Sequence, residues 1–206
     1  MAVVAPQFVG TTFFAMRHSG ELCGSNGLPL TPNSITILGR SQFLRTLNHP
    51  HLCAYLDIIR GKHERSIVIS EYHGKTLSQT QGWKLCQIIN FAGQILEALS
   101  YLNKHGLVHR CLCPDNILVN DNTDIQLFNY GLYYMTGNGE NVLFPIGSPK
   151  YTAPEVLLQK CNGRSGPKVD IWSLGIILAE LILGRFLWPH LKVTQILRKS
   201  LALLHC

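Results

Sequence analysis

Four short strings in a fixed order constrain this chain more than its composition does. His109-Arg110-Cys111-Leu112-Cys113-Pro114-Asp115-Asn116 comes first, and Ile125-Gln126-Leu127-Phe128-Asn129-Tyr130-Gly131 follows. Gly147-Ser148-Pro149-Lys150-Tyr151-Thr152-Ala153-Pro154-Glu155 is third, and Asp170-Ile171-Trp172-Ser173-Leu174-Gly175 opens an apolar run. The segments around them carry clear periodicities. From Lys84 to Lys104, Leu85, Ile88, Ile89, Ala92, Ile95, Leu96, Leu99 and Leu102 recur at helical spacing. That pattern predicts an amphipathic helix delivering the chain to the first string. Ile117–Val119 and Ile125–Phe128 flank the polar turn 120–124, which predicts a short hairpin. Ile171–Leu183 is apolar on nearly all sides, the mark of a buried helix. It is shorter than the ~20 residues a membrane-spanning helix needs, and Glu180 interrupts it.

Together the four strings resemble the catalytic loop, the D-F-G strand, the A-P-E segment and the central helix of a protein kinase. The resemblance implies an α+β, two-lobed protein-kinase-like fold, with a mostly β N-lobe over 1–71, a hinge at 72–74 and a mostly α, incomplete C-lobe over 75–206. In the kinase loop H-R-D-L-x-x-x-N the Asp accepts the substrate's proton and the Asn holds magnesium. Here Cys111 stands at the Asp and Cys113 at the usual loop Lys, while Asn129 and Tyr130 replace the D-F-G Asp and Phe. Asn116 keeps its type. Asp115 is read as solvent-facing rather than as a displaced base. Cys111 and Cys113 are read as two ordinary thiols rather than a metal pair, so no metal site is expected. His109 is expected to be a packed residue tied to Asp170, and Tyr130 to join Leu44 and His109 in the stack that couples the lobes.

The N-lobe decides the expectation about activity. Phe8–Ala15, Ile35–Leu38 and the alternating Ile67–Ser70 read as strands. Ser41–Leu47 reads as a short helix ending before His49-Pro50, because proline disfavours helix for the residue before it. Kinases fix the ATP phosphates with a third-strand lysine paired to a helix glutamate. No lysine precedes Lys62, and the glutamate position falls on Arg40. Gly20, Gly24 and Gly27 are wrongly spaced for a phosphate-covering G-x-G-x-x-G, and Cys23–Gly27 reads as a turn-rich loop. Losing a general base alone costs about 10²–10⁴-fold in rate. A neutral Asn is also a poor ligand for magnesium, which prefers carboxylate oxygens. No catalytic residue is therefore expected, and no cofactor is required. Any ATP binding, with Tyr72 and the hinge at the adenine and Asn116 and Asn129 nearby, is expected to be weak and magnesium-independent.

The formal charge of +6 raises the question of nucleic acid. Lys and Arg are scattered from Arg17 to Lys199 without a basic run or interleaved aromatics, so a solvated basic surface is the reading. Seven cysteines without a C-x-x-C pair argue against a disulfide framework and for reduced thiols in the cytoplasm. The first residues, 1–6, lack the basic and apolar regions of a signal peptide.

Several strings are not general kinase features: 23–34, Ile37-Leu38-Gly39-Arg40, 60–65, His105-Gly106-Leu107-Val108-His109-Arg110 and 144–147. They resemble the N-terminal region of the TBC domain-containing protein kinase-like proteins. In that family a degenerate kinase domain precedes a TBC domain, which stimulates GTP hydrolysis by Rab GTPases, and a rhodanese domain. The resemblance implies a cytosolic pseudokinase module with protein partners in a Rab-related pathway. An active ATP-dependent Ser/Thr-type kinase, or a shortened chain without independent function, are the alternatives. Leu191–Leu204 reads as an amphipathic helix that partly covers Ile171–Leu183.

Overall fold

The computed structural model describes residues 7–14, 33–61, 65–140, 146–158 and 166–203. The expected loop Cys23–Gly27 lies outside the described residues, as do Ala15 and Lys62. Strand β1 (Gln7–Phe14) pairs antiparallel with β3 (Arg65–Tyr72), which pairs antiparallel with β2 (Tyr55–Arg60), so β3 is central. Alternation places Ser66, Val68 and Ser70 of β3 inward.

Helix α1 (Asn33–Leu44) packs against β2. It absorbs Ile35–Leu38, which the sequence reading made a strand. β-branched residues favour strands only weakly against tertiary packing. Here Ile37, Ser41 and Leu44 share one helical face and are all buried, which outweighs that preference. The helix ends at Leu44 rather than Leu47.

After the sheet, β4 (Lys75–Thr76), β5 (Ile117–Val119) and β6 (Ile125–Leu127) form a second small sheet. Gly74 has φ +79°, and a Cβ there would strike the Val119 carbonyl, so this turn requires glycine. Helix α2 (Leu85–Lys104) buries Ile88, Phe91, Ile95, Leu99 and Leu102 and packs on α5 (Lys168–Leu183). Helix α5 stops at Gly184, whose φ of 62° is left-handed. Short helix α3 (Leu132–Met135) follows the second string, α4 (Pro154–Leu157) begins within the end of the third, and α6 (Val193–Leu203) packs on α4. One core cluster runs from Phe13 and Ile37 through Leu44 and Tyr130 to Ile177 and Ile196. This is the kinase arrangement of a β N-lobe on a helical C-lobe.

The lobes are stitched by backbone. Cys53 donates to the Leu127 carbonyl at 2.9 Å, and Leu127 donates to the His51 carbonyl at 2.9 Å.

Candidate functional site: a kinase cleft bridged by neutral side chains

Helix α2 ends at Lys104, and the chain turns at Gly106 into the His109–Asn116 loop. Asp170, in the first turn of α5, holds that loop from below. Its two carboxylate oxygens accept the backbone N–H groups of His109 and Arg110, each at 2.8 Å. The tie expected between His109 and Asp170 thus runs through backbone, not through the imidazole. It fixes Arg110 at φ 66°, a left-handed conformation that an L residue keeps only where its surroundings demand it. Burial pushes Asp170 up to about 6, against the pull of those two N–H groups. The His109 ring is fully buried, and burial lowers its pKa to about 4, so the ring is neutral at pH 7. Arg110 lies over the Tyr133 ring, 5.1 Å from its centroid.

Cys111 stands at the proton-accepting position. Burial raises its pKa, which keeps the thiol protonated at neutral pH. Cys113 is buried, and burial pushes its pKa up to about 12. Asp115 points outward and accepts a hydrogen bond from Ser78, away from the loop's centre.

Between the lobes runs a relay that the sequence reading did not foresee. Thr11 of β1 donates its hydroxyl to Asn129 Oδ1 at 3.3 Å. Asn129 Nδ2 donates to Asn116 Oδ1 at 2.9 Å. Asn116 Nδ2 donates to the Cys111 carbonyl at 2.7 Å. Asn129 has φ 59°, which asparagine tolerates better than most residues. The two residues expected nearest a nucleotide are therefore brought together, and each uses its amide on the other. Alternation on β1 aims Thr11 at the cleft; the sequence signal was a polar pair inside an apolar strand, Thr11-Thr12 between Val9 and Phe13.

The relay offers magnesium two neutral amide oxygens, each already accepting one hydrogen bond, and no carboxylate, a donor set poorly matched to an ion that prefers carboxylate oxygens. Arg40, at the helix-glutamate position, instead donates to the Met135 carbonyl at 3.3 Å. Among the described residues, no group of three or more His, Cys, Asp or Glu could hold a metal.

The stack beside the relay is built of tyrosines. Tyr130 is buried against Tyr55 with ring centroids 4.8 Å apart. The Tyr130 hydroxyl donates to the Cys53 carbonyl at 2.9 Å, and Gly131 N–H donates to the Tyr55 hydroxyl at 3.3 Å. A Cβ on Gly131 would collide with Leu44, so α1 sits directly on the turn after Tyr130. Tyr72, expected at the adenine, sits edge-on to Phe128 with centroids 6.0 Å apart. Tyr151 donates to Glu180 at 2.9 Å, and Leu187 N–H donates to the other oxygen of that carboxylate at 3.0 Å.

The protein kinase domain family matches residues 32–205. The chain is 47% identical over 207 residues to a TBC domain-containing protein kinase-like protein of Homo sapiens, covering 93% of this chain and 23% of that protein. It is 37% identical over 185 residues to the protein of that name in Dictyostelium discoideum, covering 83% of this chain and 18% of the relative. It is also 35% identical over 147 residues to a carbon catabolite-derepressing protein kinase of Saccharomyces cerevisiae, covering 69% of this chain and 23% of that protein. The chain thus spans about a quarter or less of the length of these relatives. With the fold, the ordered strings and these similarities in hand, the chain belongs to the protein kinase domain family, among the TBC domain-containing protein kinase-like proteins.

Proposed function

We propose that this domain is a pseudokinase: a kinase-shaped regulatory and interaction module that does not transfer phosphate. The observation that carries the reading is the relay Thr11–Asn129–Asn116–Cys111. A kinase cleft needs a third-strand lysine, a carboxylate for magnesium and a carboxylate to accept the proton. At the two carboxylate positions stand an amide and a protonated thiol, and Thr11 of β1 sets a hydroxyl, not a cation, against that amide. The geometry that positions the loop survives, because it depends on Asp170 and backbone. The chemistry that used it does not.

An interaction role draws support from the surface. Ile182, Leu183 and Phe186 are exposed at the end of α5, beside a cavity of about 460 Å³ lined by Leu77, Trp83, Ile177 and Leu181. Exposed apolar side chains grouped in this way mark contact surfaces. The relatives' name mentions a TBC domain, and by family resemblance the module is proposed to serve protein partners in a Rab-related pathway in the cytoplasm. Among the described residues, no helix is long and apolar enough to cross a membrane.

A thermal-shift titration of magnesium, with and without ATP, tests the relay. The melting midpoint should not respond to magnesium in either series. Stabilisation that requires ATP and magnesium together would mean that Asn116 and Asn129 release each other to bind the ion, and would overturn the reading.

A further inference from the structure

We propose that Phe128 occupies the place of the purine ring, so that the cleft is shut to nucleotide from within. This rests on the pseudokinase reading and deepens it. A nucleotide whose phosphates lie at Asn129 would set its base against the hinge at Tyr72 and above the β5–β6 sheet. Beside the hinge, Cys53, Leu118 and Phe128, with Tyr72 packed against them, form an apolar cluster of their own, separate from the main core. Leu118, from the strand beneath the base, is 1% exposed, and Cys53 is 0% exposed. A floor ready for a base would be open to solvent; this one is already covered.

What covers it follows from the chain's path. Phe128 is the residue after β6 and before Asn129, and its N–H donates to the Asn116 carbonyl at 3.1 Å. That bond fixes its backbone directly beside the relay. Its ring is 7% exposed and meets the Tyr72 ring edge-on at 6.0 Å. A slot lined by Leu118 and the hinge Tyr72 is the environment a purine would seek, and here the chain packs its own aromatic ring into that cluster. The relay fills the metal's place with amides, and Phe128 fills the base's place with a benzyl group. The two lobes are therefore held together without a ligand.

The expectation of weak ATP binding becomes sharper in this light: the obstacle is the occupied base site as much as the missing phosphate contacts. Truncating Phe128 should leave a dry aromatic slot lined by Leu118, Cys53 and Tyr72, and apolar cavities of this kind accept planar aromatic ligands. Adenosine without magnesium is the probe, because it carries the base and no phosphate. The full chain and its Phe128→Ala and Phe128→Leu variants are titrated by thermal shift. The parent should not respond at about 1 mM adenosine, while Phe128→Ala should show a saturable rise in midpoint, the signature of a ligand that binds the folded state. Phe128→Leu should respond less than Phe128→Ala. Saturable binding by the parent as tight as by the variants overturns the proposal, and so does a cooperatively folded Phe128→Ala that ignores adenosine. Should neither variant fold, the parent decides alone: silence supports the occupied site and saturable binding refutes it. Either failure would leave the absence of phosphate transfer standing, since adenosine carries no phosphate to transfer.

Discussion

Replacing Asp170 by alanine removes the group that holds the catalytic-type loop to the central helix, and its cost follows from the structure. Asp170 is 3% exposed and accepts two backbone N–H groups, those of His109 and Arg110, each at 2.8 Å. Orphaning a buried donor costs about 1–3 kcal/mol, so two donors set a gross loss of roughly 2–6 kcal/mol. Part of this is offset. Burial raises the Asp170 pKa from 3.8 to about 6, so the charged carboxylate is itself disfavoured at pH 7 by on the order of 3 kcal/mol. The net destabilisation expected of Asp170→Ala is therefore at most about 3 kcal/mol. For a domain of this size that is a fall of roughly 2–4 °C in melting midpoint per kcal/mol. Asp170→Asn keeps one acceptor and no charge and should lose less. Two measurements check this, a denaturant series and amide hydrogen exchange. Exchange at His109 and Arg110 should be slow in the parent and fast in Asp170→Ala. A variant as stable as the parent, with both amides still protected, would refute the assignment.

Other expectations follow from the same site. Cys111→Asp should yield no activity by kinase assay, because no lysine precedes Lys62 and Asn129 still stands at the metal-binding aspartate position; gain of transfer from that change alone would contradict the reading. Gly131→Ala should cost about 1–3 kcal/mol in chemical denaturation, since its Cβ meets Leu44 and overpacking forces α1 to shift. The pH dependence should show two opposed contributions. Asp170 has a folded pKa raised from 3.8 to about 6, so its contribution is greatest below 3.8 and is lost as pH rises through about 6. His109 has a folded pKa lowered from 6.5 to about 4, so its contribution is present above 6.5 and is lost as pH falls toward 4. The two nearly cancel in the parent. Asp170→Asn should leave the histidine's slope, with stability falling between pH 6.5 and 4 in a pH series of melts, and an unchanged profile would count against buried, neutral His109.

Much of the fold was legible because it rests on patterns that local chemistry enforces. The helical spacing from Leu85 to Leu102 gave α2 within a residue, and the apolar run to Leu183 gave the end of α5. Ile35–Leu38 misled because β-branched residues form a strand or a helix according to what packs on them, and the partners of Ile37 are distant in sequence. The losses at Cys111 and Asn129 were legible as absences at fixed motif positions. The hydrogen-bond partners those residues find were not. Thr11 and Asn129 are 118 residues apart, and nothing local says that β1 lies over the D-F-G-like turn. Phe128 read as the last residue of a strand, while its place against Tyr72 depends on two lobes meeting. The tyrosine hydroxyls of the stack were likewise invisible, since Tyr130 looked like a replacement for an apolar ring and its partner Tyr55 lies 75 residues away.

The central claim is that a kinase scaffold persists here without phosphoryl transfer. It is tested most directly by incubating the full chain with γ-labelled ATP and magnesium, general protein substrates present, beside an Asn116→Ala variant. The account predicts that neither the substrates nor the chain itself gains label above the variant's background. Label that accumulates with the parent and vanishes with Asn116→Ala would contradict it.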